Sequence, residues 1–298
     1  MLALPCEPPR TIPGVSSHTR RVLRWFFDAT TRISPALAAR LALAVFTIPA
    51  PQSVSPEARA VLRIASPSTV SVGGETVRVF RWEANASPTP TILLAHGWSS
   101  RAARLTAFVE PLRRAGFNVV AFDAPAHGDS SGVQLDISSY VTALRAVIER
   151  VGPVHGIIGH SFGARASVLL LSAAEVADIR AIALMAMPPD VSYMLEQFKL
   201  VLNLRRDVQH LLDRYFVARF GAPPDRHSPE HHAQPIRAAT LLLHDSDDDV
   251  APIAHACALA RQLPAAQLIM TRGLNHCGLL THRPAIDAIT AFMTKTCG

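Results

Sequence analysis

Short apolar runs of strand character recur along this chain at residues 91–95, 118–122, 154–158, 181–185, 240–244 and 267–270. Between them lie stretches whose apolar residues return at helical spacing, at 102–115 and 137–151, and a last one closes the chain at 286–292. Alternation of this kind predicts an α/β fold, a mostly parallel sheet covered by helices on both faces. In such sheets, sites form beyond the carboxyl ends of the strands. Further upstream, 69–72 and 75–82 read as a hairpin closed by Gly73-Gly74. Val77 and Val79 share one face of its second strand, and Phe80 and Trp82 the other, so that strand meets apolar material on both sides.

Two stretches break the rhythm. Residues 1–62 precede the first domain strand and are expected as an N-terminal helical extension of a domain at 63–298. They hold Arg20-Arg21-Val22-Leu23-Arg24-Trp25-Phe26-Phe27 and an Ala/Leu-rich run from Pro35 to Phe46. The apolar run at 41–50 is too short to span a bilayer. No secretory signal is read here, because a long Arg- and Pro-containing lead comes first and no clear cleavage site follows. Two readings stay open: a pair of amphipathic helices packed on the domain, or a basic, Trp/Phe-bearing helix resting on anionic lipid. An Arg-rich, acid-poor start also has the composition of an organelle transit peptide. The second stretch, 188–234, shows no strand but has Met194, Phe198, Val201, Leu202, Val208, Leu211, Leu212, Tyr215 and Phe216 at helical spacing. It predicts a short helical cap inserted at the top of the sheet, with His227, His231 and His232 in a polar tail that lacks a zinc-type partner set.

Composition narrows the function classes. The chain has 298 residues, 49% hydrophobic and 17% charged, enough for a sizeable core. Its net charge of +6 comes mostly from dispersed arginines. Without a dense basic run interleaved with aromatics, a nucleic-acid partner is not expected. Cys6, Cys257, Cys277 and Cys297 form neither a C-x-x-C pair nor a metal spacing, which suits a reducing, cytoplasmic compartment.

The chemistry gathers around Ser161. The run 153–158 is followed by Gly159-His160-Ser161-Phe162-Gly163 and then by Ala- and Leu-rich residues at helical spacing. That is a strand, a sharp turn and a helix, with a G-x-S-x-G turn exposing the hydroxyl at a helix N-terminus. Close approach of strand and helix leaves little room for a Cβ at 159 or 163. A serine hydroxyl needs a base to take its proton, and the base needs an acid to orient it. Loops after later strands offer both: Asp245-Ser246-Asp247-Asp248-Asp249 after 240–244, and Gly273-Leu274-Asn275-His276 after 267–270. Several members of the acidic run are expected simply to be solvated. Backbone donors for an oxyanion come from Phe162 N–H and from the loop His96-Gly97-Trp98-Ser99, where Trp98 N–H is the second candidate.

Taken together, these stretches resemble the α/β-hydrolase family. The matching segments are His96-Gly97-Trp98, Asp123-Ala124-Pro125-Ala126-His127-Gly128-Asp129-Ser130, Gly159-His160-Ser161-Phe162-Gly163, the acidic loop ending in Pro252, and Gly273-Leu274-Asn275-His276. The resemblance implies the α/β-hydrolase fold, Ser161 as nucleophile, His276 as base, and an acid four residues before the proline, which is Asp248. Asp245 stands where the family usually has glycine, and Ala126 also stands at a frequent glycine position. Asp123 and His127 are expected to hold their loop rather than to do chemistry. The function expected is a serine hydrolase cleaving a small-molecule carboxylic ester or thioester through an acyl-enzyme, with no cofactor and no metal. A carbon–carbon bond hydrolase with the same triad, and a non-catalytic or membrane-surface member of the fold, are the rival readings; the oligomeric state is left open.

Overall fold

The computed structural model describes residues 16–84, 89–173, 178–221, 236–263 and 265–298. Eight strands pair into one sheet: β1 (Ser66–Val72), β2 (Glu75–Trp82), β3 (Thr91–Ala95), β4 (Asn118–Asp123), β5 (Gly156–His160), β6 (Ala181–Met185), β7 (Ala239–Asp245) and β8 (Ala266–Thr271). Their spatial order is β1-β2-β4-β3-β5-β6-β7-β8. The first two strands form the expected hairpin, Val72 facing Glu75 across Gly73-Gly74, both of which take positive φ. β2 runs antiparallel to β4, and every later pairing is parallel.

Strand alternation divides the apolar residues between two cores. Leu93, Val120, Phe122, Ile157, Ile182 and Leu242 face the larger one. It is closed by α5 (Ile137–Val151) and α6 (Phe162–Ser172). Ile92, Leu94, Val119, Ala121, Ile158 and Leu241 face the other. There they meet the turn of 3-10 helix Ala102–Phe108, α4 (Val109–Arg114) and the C-terminal helix Arg283–Cys297. Val77 and Val79 go to the first core and Phe80 and Trp82 to the second, as the pattern predicts.

Several boundaries differ from expectation for local reasons. β5 continues to His160 because Gly159 and His160 still pair with Leu184 and Met185, so the turn at Ser161 follows the strand with no loop between. The stretch 102–115 is no single α-helix; Pro111 sits in the first turn of α4, where its missing N–H costs no helical bond. The C-terminal helix is longer at both ends than its apolar core. Two helices escaped the apolar pattern, α3 (Pro56–Arg63) and α9 (Ile253–Gln262), because each buries a narrow face: Ala58 in the first, Ala256 and Leu259 in the second. For α3 a signal was present, since Ser55 accepts from Ala58 N–H as N-cap and Pro56 follows it.

The two irregular stretches meet. α1 (Ser17–Ile33) and α2 (Pro35–Thr47) are divided by Ser34-Pro35: the serine caps α2, accepting from Leu37 N–H, and the proline opens it. α1 packs on α7 (Val191–Leu202), and α2 on α8 (Arg206–Phe220). Phe46 of α2 sits edge-on to Phe198 and Phe216, with ring centroids 5.3 and 6.4 Å away, and Arg24 Nε donates to Val201 O at 2.6 Å. The buried Lys199 ammonium joins α7 to α8 through Asp213, with Glu196 as its second partner. His227, His231 and His232 lie outside the described residues.

Candidate active site

β5 leads directly into Ser161, whose φ of 52° and ψ of −118° place a non-glycine residue in a strained conformation. The strain persists because the surroundings fix it. Ser161 N–H donates to Met185 O at 2.8 Å, and α6 starts at the next residue. A Cβ on Gly159 would come within 2.5 Å of Ala164 Cα, and one on Gly163 would run into the carbonyl oxygens of Ala95 and His96. The glycines of G-x-S-x-G are therefore required by the contact of α6 with β5 and β3.

His276 arrives from the opposite side, on a single helical turn, Asn275–Gly278, after β8. Its Nε2 lies 2.9 Å from Ser161 Oγ, and its Nδ1 lies 2.9 Å from Oδ2 and 3.1 Å from Oδ1 of Asp248. Facing a carboxylate, Nδ1 carries the ring proton, which leaves the Nε2 lone pair toward the hydroxyl. The Asp248 side chain is fully buried. Its Oδ1 accepts from Val250 N–H and Ala251 N–H, each at 2.9 Å, and His244 Nε2 lies 3.4 Å from its Oδ2. Burial opposes its charge, but His244, His276 and the Ala251 N–H together hold the carboxyl well below the usual carboxylate range.

The other acids of this run go elsewhere. Asp245 is buried and accepts from Thr271 Oγ1 at 2.7 Å, from Asp247 N–H at 3.0 Å, and from Leu274 and Asn275 N–H at 3.1 Å each. Burial works against its charge, yet these bonds hold its carboxyl below the ordinary value. It clamps the loop that carries His276, so the residue at an expected glycine position has a structural duty. Asp247 is exposed, with Arg272 3.9 Å away.

The loop after β3 passes directly over Ser161. A Cβ on Gly97 would sit 3.0 Å from Ser161 Cβ, so only glycine lets the backbone approach this closely. The N–H groups of Trp98 and Phe162 donate to no group among the described residues. The Trp98 ring packs on Phe162 and His127, with centroids 5.4 and 5.6 Å away. Asp123 and His127 hold the loop network, as expected. Asp123 accepts from Ala102 N–H at 2.7 Å and Asp129 N–H at 2.8 Å, and His127 Nε2 accepts from Ser99 N–H at 3.1 Å. Ala126 takes a φ of 63°, keeping the turn a glycine would make.

Two histidines had no signal beyond their place in the motifs. His96 Nε2 accepts from Ala124 N–H, and Nδ1–H donates to Gly97 O. His160 Nε2–H donates to His276 O at 3.0 Å, supporting the loop that carries His276 from beneath. Burial pushes His96 down to about 4, and burial together with a neighbouring imidazole pushes His127 and His160 down to about 3. The unfolded chain takes up these protons near pH 6.5 and the folded chain only well below it, so stability falls as pH drops through that window. Asp123, raised chiefly by burial, works in the opposite sense but is one group against three. The expected result is a thermal midpoint that is level above about pH 7 and falls steadily toward about pH 4. A midpoint constant over that range, read by circular dichroism, contradicts neutral burial of these rings.

Ser161 and His276 open on a cavity of about 750 Å³. Its walls are largely apolar and come from three sources: Val45, Phe46, Ile48 and Pro49 of the N-terminal segment, Trp98 and Leu135 of the sheet loops, and Val191, Met194, Phe198 and Phe216 of α7 and α8. Arg104, Gln197 and Asn275 supply polar points. That residues 45–52 line it could not be read from the sequence, because nothing local to them refers to Ser161. Among the described residues, no group of three or more His, Cys, Asp or Glu is placed to hold a metal ion.

The family model described as the alpha/beta hydrolase family matches residues 92–288. The chain belongs to the alpha/beta hydrolase family. Within it, the chain is similar to the monoglyceride lipase of Rattus norvegicus, 26% identical over 111 residues, which are 35% of this chain and 37% of that protein. It is also similar to the monoacylglycerol lipase of Mycolicibacterium smegmatis, 29% identical over 104 residues, 32% of this chain and 37% of that protein. The matched region thus spans little more than a third of these curated relatives. Among solved structures, the Pyrococcus furiosus esterase Pf2001 superposes with a TM-score of 0.64 at 19% identity, covering 85% of this chain and 98% of that one. Est1E from Butyrivibrio proteoclasticus, with ferulic acid bound, gives 0.64 at 17% identity, covering 77% and 99%. At such identities the structural likeness speaks for the alpha/beta hydrolase fold alone.

Proposed function

We propose that this alpha/beta hydrolase is a serine hydrolase of carboxylic esters or thioesters with an apolar acyl group. The observation that carries the reading is the relay from Asp248 through His276 to Ser161 Oγ, with bonds of 2.9 Å on each side of the imidazole, at the wall of an apolar cavity. In this mechanism Ser161 Oγ attacks the carbonyl carbon while His276 Nε2 takes its proton. Asp248 holds the ring and stabilises the imidazolium. The carbonyl oxygen gains charge and is held by the N–H groups of Trp98 and Phe162, the latter aided by the N-terminus of α6. His276 then protonates the departing alcohol or thiol. Water, deprotonated by the same ring, releases the acid from Ser161. Each step balances with substrate and water alone. The two relatives named as lipases of monoacylglycerols support an acyl ester as the substrate class.

The test is labelling by a fluorophosphonate, alongside hydrolysis of p-nitrophenyl esters of rising chain length. Wild-type labelling that disappears in Ser161→Ala is expected. Burying a methylene is worth about 0.8 kcal/mol, so kcat/KM is expected to rise up to about fourfold per added carbon until the cavity is filled. No labelling of folded protein overturns the reading, and a flat profile overturns the apolar acyl pocket.

A further inference from the structure

Helix α1 carries two apolar stripes, and only one is used. Leu23, Phe27, Thr30 and Thr31 face inward, with Phe27 and both threonines buried. Val22, Trp25, Phe26, Ala29 and Ile33 follow the i, i+3, i+4, i+7, i+11 spacing of a second face. Along it Trp25 is 73% exposed, Ile33 83%, Val22 50% and Phe26 39%. Four of the eleven large apolar residues left exposed among the described residues therefore stand on this one helix. Leu37 of α2 and Leu200 of α7, exposed on the two helices packed against α1, add to the count.

We infer that the outer face of α1 docks on an anionic lipid bilayer and sets the pocket beside it. Charge selects this occupant. The helix carries four arginines against a single acid: Arg24 is turned inward to Val201 O and Arg32 pairs with Asp28 at 2.9 Å, and at 100° per residue Arg21 and Arg32 flank the Trp25 side of the stripe. A second copy of this chain would bring the same arginines face to face across a two-fold axis, which repels. Tryptophan beside arginine suits the headgroup boundary, where a ring is half-buried and a guanidinium meets phosphate. The helix lies on the surface: no helix of the described residues is long and apolar enough to cross a membrane. Leu23, on the inward face of the same helix, lines the cavity that holds Ser161. An apolar ester leaving the bilayer would then pass along α1 with little exposure to water. This last point rests on the hydrolase reading; the docking itself does not.

The experiment is co-sedimentation of the full chain with vesicles of phosphatidylcholine alone and of phosphatidylcholine with phosphatidylglycerol at 3:1, repeated with Ser161→Ala. Binding to the anionic vesicles, weaker binding to the neutral ones, and no effect of Ser161→Ala are expected. Trp25→Ser with Phe26→Ser should reduce partitioning about tenfold or more. Arg21→Glu with Arg32→Glu should reduce it about fivefold or more and flatten its salt dependence. Turnover of a short soluble ester should stay within twofold of wild type in both variants. Wild-type protein that stays in the supernatant with both vesicles overturns the docking. So does a Trp25/Phe26 variant that sediments unchanged, or one that loses only self-association on size exclusion. Wild-type protein that sediments but hydrolyses no ester would instead remove the enzymatic reading and leave the docking.

Discussion

Ser161→Ala is expected to lower kcat/KM on an activated ester by about 10⁴–10⁶, with His276→Ala close behind. The two changes act on one relay, so the double variant should be scarcely worse than either. Each removes a bond that gains strength only as charge develops at Nε2 and on the carbonyl oxygen. A residual rate above water is expected, because the Trp98 and Phe162 N–H groups still hold an oxyanion. Steady-state kinetics on a p-nitrophenyl ester checks this. A tenfold or smaller loss in Ser161→Ala would mean that another nucleophile is at work. Folding is not the confounding factor, since alanine removes one hydroxyl and no backbone bond.

Asp248→Asn should cost about 10⁴ in kcat/KM, whereas Asp247→Asn and Asp249→Asn should stay within about threefold of wild type. The surroundings dictate how the new amide would sit. Val250 N–H and Ala251 N–H both donate to Oδ1, so the amide oxygen is held there and the amide nitrogen takes the place of Oδ2. That nitrogen would donate to His276 Nδ1, 2.9 Å away, and drive the ring proton onto Nε2. An imidazole protonated at Nε2 has no lone pair for the Ser161 proton. The comparison of the three variants at one pH, with matched circular dichroism, decides the acid. A large loss at 247 or 249 would reassign it.

What was legible in the sequence follows the range of the forces involved. The strands at 118, 181 and 240 show as apolar runs because burial on both faces leaves polar residues only at their ends. Ser161 shows because its turn demands glycine at 159 and 163 within a few residues. Composition could not choose among the aspartates at 245–249. The family pattern pointed to Asp248, but what separates it from Asp245 is a contact 28 residues away in one case and a clamp on the β8 loop in the other. His160 stood only as the variable letter of a motif, and its bond to His276 O spans 116 residues. The N-terminal helices read as amphipathic, yet which stripe faces inward depends on α7 and α8, which lie more than 150 residues downstream.

The wall that Val45, Phe46, Ile48 and Pro49 give to the cavity lies wholly outside the region 92–288 shared with the family. One wall of the pocket is thus written apart from the shared region, while the rest, from Trp98 to Phe216, lies within it. Drift in the first fifty residues can reshape what enters the pocket while Ser161, His276 and Asp248 keep their places. Relatives that share this catalytic half need not share a diet, and a new preference could arise by exchanging the leading helices alone.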